Sequence, residues 1–362
     1  MSRVIKVLHT EWSDGWGGQE IRIINEMIAV REQGVEVFLA CRDHAIIKQK
    51  ALENNIKVFV FPFRGNTDFK TLFNLKKIIK KHSIDIVNTH SGKDTWVGGL
   101  AAKLAGAKFI RTRHLSNRIR SSRTNFINEL TDYIFTTGES VRANMIKYNR
   151  IKPEKIQSIP TGIDADLFNP DKYDKQACRR QFNIQDDEIA IGIIAVLRQF
   201  KRHDLFLKMA KSLIEQHPKK SLTFLIAGDG PQKENIITWI NELDLSANVK
   251  LLGHVNQVPE LLSVLDIFVL SSDSKEGVPQ SVMQALLMNK AIVSTNSGST
   301  QDLLDNNNFQ LVEVNSVNAL ISGVDYYLER KSVKNTREFI VSNFSKGVMT
   351  EKIMSTYQEL VA

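Results

Sequence analysis

The stretch VIKVLHTEWSDGWGGQE, residues 4–20, places a glycine-rich turn directly after a short apolar segment. The segment from Val4 to Leu8 is typical of a buried strand, and the turn at Gly15, Gly17 and Gly18 precedes a predicted helix. Glycines there let the backbone approach a ligand closely, and the helix N-terminus offers free N–H donors that suit phosphate. No Gly-x-Gly-x-x-Gly or Walker signature is present, so an ordinary strand-to-helix turn remains an alternative.

The alternation of short β-branched and longer amphipathic segments continues through the 362 residues. Phe69–His82 is a clear helix, with apolar residues at helical spacing and lysines over much of the remaining surface. Strands that alternate with helices predict parallel sheets covered on both faces. A cluster of turn-forming residues, from Pro160 to Asp171, separates two such series. We therefore predict an α/β protein with two Rossmann-like domains, residues 1–165 and 166–345, and a final helix, about 346–362, that can pack back on the first.

Composition narrows the class of protein. No apolar segment approaches the roughly 18 residues that span a bilayer, and the first residues resemble a strand rather than a signal peptide, so we predict a cytoplasmic protein. Cys41 and Cys178 are the only cysteines. They form no disulfide framework and no Cys-x-x-Cys pair, which argues against structural zinc and cysteine catalysis.

The positive charge is concentrated in the first half of the sequence. The net charge is +8, but residues 1–164 hold 27 Lys and Arg against 16 Asp and Glu, whereas residues 165–362 hold 21 against 24. A basic half attracts phosphates, acidic glycans, nucleic acid or anionic lipid. Nucleic acid is disfavoured, because no motif of interleaved aromatic and basic residues is present.

Two polar segments follow predicted strands in the first half: residues 89–94, THSGKD, and residues 111–116, RTRHLS. Ligand sites of open parallel sheets form at the carboxyl ends of the strands. His90 and His114 occupy successive strand ends, where a histidine can donate hydrogen bonds or move protons near neutral pH. A structural role for both histidines and a solvated basic loop for the arginines remain alternatives. The basic loop comprises Arg111, Arg113, Arg118, Arg120 and Arg123.

The second half carries two further segments of this kind. Arg198 and Lys201 follow the predicted strand Ile189–Val196; arginine can grip a phosphate through two donors, and lysine acts as a compact charge. Glu276 precedes a helix that we predict to begin near Pro279. A carboxylate there can accept hydrogen bonds from sugar hydroxyls, and helix capping is its alternative role.

Taken together, these segments resemble glycosyltransferase family 4, the retaining nucleotide-sugar transferases with the GT-B fold, over nearly the whole chain. The most specific part is Glu276-Gly-Val-Pro followed by Gln284-Ala285, which is similar to the family motif of two glutamates separated by seven residues. Three more segments are similar to family motifs: residues 17–20 (GGQE), 159–164 (IPTGID) and 227–231 (AGDGP). The resemblance implies that two Rossmann-like domains face each other across a cleft.

The resemblance also implies roles for individual residues. Arg198 and Lys201 would hold the donor diphosphate, Glu276 would contact the donor sugar, and His114 would face that sugar; these four form the implied catalytic set. The implied donor-binding residues are Gly17, Gly18, Arg198, Lys201, Gly253, His254, Glu276, Gly277, Val278, Pro279 and Gln284. The implied acceptor-binding residues are Lys93, Asp94, Arg113 and Arg118.

Two departures from the family pattern affect the donor site. Gln284 replaces the second glutamate, and an amide can still bond ribose hydroxyls. Val196 occupies the expected arginine position, so Arg198 would act from two residues later. These changes leave open a non-catalytic subunit that only binds a nucleotide-sugar. A GT-B sugar-nucleotide epimerase, which consumes donor without acceptor, is a further alternative.

We therefore predict retaining transfer of a sugar from a nucleotide-diphosphate donor to a hydroxyl of a glycan or lipid-linked acceptor in cell-surface polysaccharide or lipopolysaccharide biosynthesis. UDP is the expected nucleotide by resemblance alone. No Asp-x-Asp pair is present, and two cations with a helix N-terminus can neutralise the diphosphate, so no cofactor or metal is expected. The acceptor is expected to be anionic, and Phe69–His82 to touch the anionic cytoplasmic face of the inner membrane without inserting.

Overall fold

The computed structural model describes residues 3–115, 119, 126–273, 276–305, 308–329 and 335–362. These residues form two units. One comprises the chain up to Gly162 together with Lys346–Ala362, and the other comprises Ile163–Ser345. Within the described ranges, every helix falls short of the length and apolarity that a membrane-spanning helix requires.

The first unit is built on a seven-stranded parallel sheet in the order β3-β2-β1-β4-β5-β6-β7. Its strands are β1 Lys6–Thr10, β2 Glu36–Cys41, β3 Lys57–Val60, β4 Ile86–Thr89, β5 Lys108–Arg113, β6 Tyr133–Thr136 and β7 Ile156–Ser158. Its first five helices are α1 Gly18–Glu32, α2 Ile46–Glu53, α3 Phe69–His82, α4 Gly92–Ala105 and α5 Glu139–Asn149. Because the strands run parallel, the segments that follow β1, β4 and β5 meet at one edge of the sheet.

Helix α3 has the bounds that its apolar spacing predicts. The Asp68 carboxylate accepts a hydrogen bond from the Thr71 N–H at 3.1 Å and caps the first turn, and Ser83 closes the last turn in the left-handed region. Leu75 and Ile79 are buried against the sheet, and each contributes roughly 1.5–3 kcal/mol of apolar burial.

The second unit contains a six-stranded parallel sheet in the order β10-β9-β8-β11-β12-β13. Its elements are α6 Lys175–Gln181, β8 Ile189–Ile194, α7 His203–Gln216, β9 Leu222–Ala227, α8 Lys233–Glu242, β10 Val249–Gly253, α9 Val258–Val264, β11 Ile267–Leu270, α10 Gln280–Leu287, β12 Ala291–Thr295, β13 Gln310–Val312, α11 Val317–Glu329 and α12 Arg337–Phe344. Neighbouring residues of β9 point into different cores: Phe224 and Ile226 into one, Leu225 into the other. Both faces of this sheet are therefore covered, as predicted for parallel strands.

The last helix, α13, spans Lys346–Val361 and belongs to the first unit. Met349, Ile353 and Tyr357 are buried in the core that contains residues of α1 and β1. The Tyr357 hydroxyl lies 3.4 Å from a carboxylate oxygen of Glu26 in α1. The core of the first unit thus contains side chains from both ends of the sequence.

Candidate active site

In the second unit, a lysine and a glutamate form an ion pair beside two neighbouring strands. Lys201 ends a short 3-10 helix after β8, and Glu276 follows β11. The Lys201 ammonium contacts the Glu276 carboxylate, and the Ser272 hydroxyl donates to the same carboxylate oxygen at 2.6 Å. The Lys201 side chain is 14% exposed and the Glu276 side chain is 10% exposed. The pair is therefore mostly shielded from water, but a ligand can still reach part of it.

The backbone around Glu276 is fixed by a close approach from the loop after β12. Gly298 has φ of +58°, and a Cβ added there would lie 1.7 Å from the Glu276 carbonyl oxygen. Only glycine fits this position. The Thr295 hydroxyl donates to the Ser272 carbonyl at 2.6 Å and holds the preceding segment. The loop after β12 thereby packs directly against the Glu276 backbone.

Helix α10 begins directly after this segment. Gln280 is its first residue, Val278 and Pro279 before it are buried, and Gly277 is half-buried. The first N–H groups of a helix have no partner within the helix and carry a partial positive charge, which favours an anion. Gln284, half-buried on the same helix, follows one turn later.

Arg198 lies at the start of the 3-10 helix, and its side chain is exposed. Among the residues that the structure describes, none forms an ion pair with its guanidinium. The adjacent Leu197 N–H donates to the Asp229 carbonyl at 3.0 Å. Gly228, with φ of +146°, would place a Cβ 1.9 Å from the Ala195 carbonyl oxygen. The loops after β8 and β9 are therefore packed together, and Arg198 extends from them.

Gly253 and His254 lie at the end of β10. The Gly228 N–H donates to the Gly253 carbonyl at 2.7 Å, so β10 ends beside the loop after β9. His254 is exposed, with Nε2 3.1 Å from the Asn256 side-chain oxygen. Its ring is accessible to a ligand.

In the first unit, a cluster of carboxyl groups lies at the ends of β1 and β4. Glu11 accepts hydrogen bonds from the Ser13 N–H at 2.7 Å and the Gln19 amide at 2.6 Å, and it contacts the Ser91 hydroxyl. Asp94 accepts from the Thr10 hydroxyl at 2.7 Å. Burial raises the pKa of Glu11, and burial together with the nearby Glu11 raises the pKa of Asp94 well above its ordinary value. A carboxyl that stays protonated near neutral pH can donate a hydrogen bond.

The glycine-rich turn closes onto this cluster. The Gly17 N–H donates to the Glu20 carboxylate at 2.9 Å, and Gly18 begins α1. The next residue, Gln19, turns its side chain to Glu11 and Ser91. The turn thus places a helix N-terminus beside buried carboxyl groups.

Basic residues lie after β4 and at the end of β5. Lys93 is exposed, and its ammonium lies 4.0 Å from the centre of the Trp12 ring, a cation–π contact. Arg113 is half-buried, and burial lowers its pKa to about 10. His114, buried after β5, has Nε2 3.0 Å from Nδ1 of His90. Arg118 lies outside the described residues.

Two family models match the chain: Glycosyltransferase Family 4 over residues 16–167, and Glycosyl transferases group 1 over residues 174–344. The chain belongs to glycosyltransferase family 4. The family predicted from the motifs is confirmed, and so is the prediction that the protein is an enzyme of the glycosyltransferase class.

Individual relatives agree with this assignment. The Escherichia coli UDP-Gal:alpha-D-GlcNAc-diphosphoundecaprenol alpha-1,3-galactosyltransferase is 25% identical, with 99% of this chain and 97% of that protein aligned. A glycosyltransferase structure from Rickettsia africae has a TM-score of 0.89 at 21% identity and covers 99% of both chains. The Anabaena protein HepE, solved with UDP and glucose, has a TM-score of 0.84 at 18% identity and covers 98% of this chain and 100% of its own. The predicted GT-B fold class is confirmed.

The structure of this family 4 transferase brings some of the predicted residues together. Lys201 and Glu276 are in contact in the second unit, whereas among the described residues the Arg198 side chain forms no hydrogen bond or ion pair with either of them. In the first unit, Asp94 is fully buried and bonded to the backbone N–H of His90 at 3.0 Å. Within the described ranges, no group of three or more His, Cys, Asp or Glu side chains is arranged to hold a metal ion.

Sequence reasoning missed several polar residues of the transferase's first unit. His9 lies in β1, Glu11 comes just after it, and both side chains are fully buried. The apolar residues of this segment predict a strand, but they give no sign of a polar site. The available signal was their position at the carboxyl end of a strand that precedes a glycine-rich turn. Gln19 and Ser91, which bond Glu11, lie within the segments GGQE and THSGKD, whose motifs assign no role to either residue.

Proposed function

We propose that this enzyme is a retaining transferase that uses a nucleotide-diphosphate sugar, with UDP as the nucleotide, and a lipid-linked acceptor in the synthesis of a cell-surface polysaccharide or lipopolysaccharide. The observation that carries the donor part is the Lys201–Glu276 pair beside the start of α10. A cation suits the diphosphate, and a carboxylate suits sugar hydroxyls. The two groups satisfy each other here, and a bound donor would supply each with a new partner.

Two comparisons support UDP. The Anabaena neighbour was solved with UDP and glucose, and the Escherichia coli relative is a UDP-Gal transferase. Gln284 would bond the ribose hydroxyls from α10, because an amide both donates to and accepts from hydroxyl groups.

The positive charge of the first half of the chain supports an anionic, lipid-linked acceptor. The Escherichia coli relative acts on a GlcNAc-diphosphoundecaprenol acceptor, whose diphosphate is anionic. In this chain the basic excess lies in residues 1–164. Lys93 is exposed beside the carboxyl cluster and available for such an anion. Asp94 is fully buried and accepts hydrogen bonds from the Thr10 hydroxyl and the His90 N–H, so its proposed role is to hold the segment that carries Lys93.

Helix α3 is proposed to contact the membrane that holds such an acceptor. Phe69 and Phe73, one turn apart, are 62% and 54% exposed. Exposed lysines share the helix with them: Lys70, Lys77, Lys80 and Lys81. Exposed aromatic side chains with flanking lysines favour an anionic lipid surface.

The proposed chemistry depends on positioning and electrostatics. The acceptor hydroxyl attacks the anomeric carbon on the face of the leaving group, the bond from that carbon to the diphosphate breaks, and the hydroxyl proton passes to the departing diphosphate. Lys201 and Arg198 stabilise the negative charge that develops on the diphosphate. Glu276 orients the sugar through its hydroxyls, which converts a collision into a unimolecular step.

The test is nucleotide release from a panel of UDP- and GDP-sugars without acceptor or added metal. Wild-type protein is compared with Lys201→Ala, Glu276→Ala and the control Lys208→Ala, which alters an exposed lysine of α7 to which no role is assigned. Slow release from one UDP-sugar, lost in the first two variants and kept in the control, is the expected result. If no donor is hydrolysed and none raises the thermal midpoint of unfolding, the donor proposal is wrong.

A further inference from the structure

A row of three histidine rings crosses the first unit at the ends of three neighbouring strands. His9 Nδ1 lies 3.0 Å from His90 Nε2, and His90 Nδ1 lies 3.0 Å from His114 Nε2. Successive ring centres are 5.2 Å apart. His9 is in β1, and the other two follow β4 and β5, which are its successive neighbours in the sheet. The sheet itself therefore aligns the rings.

All three rings are neutral near pH 7. Burial lowers the pKa of His9 to about 4, and it lowers the pKa values of His90 and His114 well below their ordinary value. The charged groups that act on the row are Arg22, Glu26, Arg111 and Arg113. The arginines lower these pKa values further, and only Glu26 opposes them, at His9. A neutral imidazole has one N–H and one lone pair.

Three neutral rings joined by two hydrogen bonds have only two arrangements. Each bond needs an N–H on one ring and a lone pair on the next. If His9 donates to His90 through Nδ1, then His90 donates to His114 through Nδ1, and His114 must carry its own proton on Nδ1. In the reverse direction all three protons are on Nε2. The tautomer of His114 is therefore coupled to that of His9.

The environment of His9, at one end of the row, distinguishes the two arrangements. His9 Nε2 is buried, and no described residue bonds it. With the protons on Nε2, His9 Nε2 would be a buried N–H donor without an acceptor. With the protons on Nδ1, His9 Nε2 carries only a lone pair without a donor. Orphaned buried N–H groups are rarer in proteins than under-satisfied acceptors. Glu26, the nearby anion, already accepts from Arg22 and Asn88, each at 3.1 Å.

We propose that His9 and His90 are positioning residues that hold the proton of His114 on Nδ1, so that His114 presents an N–H donor to its ligand. This inference rests on the proposed function and on the role that the family resemblance implies for His114, which is to face the donor sugar. A fixed N–H donor binds a substrate oxygen, and it has no lone pair left with which to take a proton, because Nε2 accepts from His90. The proton of the acceptor hydroxyl then leaves with the diphosphate and not on His114.

The first test reads the tautomers directly in wild-type protein. Histidine is labelled with ¹⁵N, and two-bond ¹H–¹⁵N correlation spectra are recorded from about pH 7 to about pH 5.5, where an ordinary histidine becomes charged. The expected result is three histidines that stay neutral with the proton on Nδ1. Protons on Nε2, or a mixture of tautomers, would overturn the proposal. This result does not depend on activity, so it remains decisive if the enzyme releases no nucleotide.

The second test compares two replacements of His9. His9→Asn keeps an amide nitrogen near the Nδ1 position, and His9→Leu removes the donor. We expect His9→Leu to mix the tautomers of His114 and to lower kcat for donor release by about tenfold, the effect of one lost hydrogen bond, with little change in KM. His9→Asn should restore the Nδ1–H signal and most of kcat. Equal losses in both folded variants would contradict the proposal; if His9→Leu does not fold, the wild-type spectra decide.

Discussion

Replacement of Gly298 by alanine tests whether backbone packing in the second unit positions Glu276. The new Cβ would lie 1.7 Å from the Glu276 carbonyl oxygen, and ordinary contact begins at 3.4 Å. One of the two segments must therefore move by roughly 1.7 Å, and a misplacement of about 1 Å in an active site can cost about 100-fold in rate. We expect kcat/KM for donor release to fall by at least that factor.

Gly106→Ala is the matched control for this substitution. Gly106 also has a positive φ, of +86°, but nothing lies within 4 Å of its added Cβ. Both variants carry the backbone cost of alanine in the left-handed region, roughly 1–2 kcal/mol. Only Gly298→Ala carries the clash as well.

The assay combines urea unfolding with nucleotide release. Gly106→Ala should lose about 1–2 kcal/mol of unfolding free energy and keep its kcat/KM. Gly298→Ala should lose more stability and nearly all donor release. If the two variants retained equal activity, the argument that the loop after β12 positions Glu276 would be refuted.

Replacements of Lys201, of Phe69 with Phe73, and of His9 test three further contacts. Lys201→Met should lower kcat for donor release by about 100- to 1,000-fold in steady-state assays, since one electrostatic contact to the leaving group is lost, while a loss equal to that of Lys208→Met would contradict this role. Phe69→Ser with Phe73→Ser should reduce co-sedimentation with anionic vesicles at low salt by at least about tenfold, because two apolar side chains no longer enter the lipid; unchanged binding would exclude α3 as the contact. The pKa of His9 is lowered from 6.5 to about 4, so the unfolded chain binds the extra proton, and unfolding free energy should fall as pH falls through that window. His9→Asn should reduce the slope by about 1.4 kcal/mol per pH unit in urea titrations, and an unchanged slope would show that His9 is not buried in neutral form.

The sequence predicts the regular elements of this fold well, because its strongest signals are local. The bounds of α3 follow from its apolar spacing, which includes Leu72, Leu75 and Ile79. The strand predicted at Ile189–Val196 ends two residues earlier, at Ile194. Its apolar character continues into Leu197, which is buried in a loop and not in the sheet.

Contacts between residues that are distant in the sequence are harder to predict from it. Arg111 resembles part of a solvated basic loop in the sequence, yet it is buried and contacts the Asn128 side chain, and burial lowers its pKa to about 9. The pairing of Lys201 with Glu276 joins residues 75 positions apart, and only the order of strands β8 and β11 brings them together. The residue roles at both sites stay predictions until the variants are measured.

The return of α13 to the first unit has a consequence for folding during synthesis. A ribosome releases residues 1–162 long before Tyr357, whose buried ring fills the core beside Phe135 and whose hydroxyl meets Glu26. Domains generally fold in order as they emerge. The first unit, however, cannot complete its core until α13 is made, so part of its apolar surface stays exposed while the second unit is translated. The nascent chain therefore offers a binding surface to chaperones that the finished protein lacks, and stop codons just before Tyr357 should yield insoluble product despite an intact second unit.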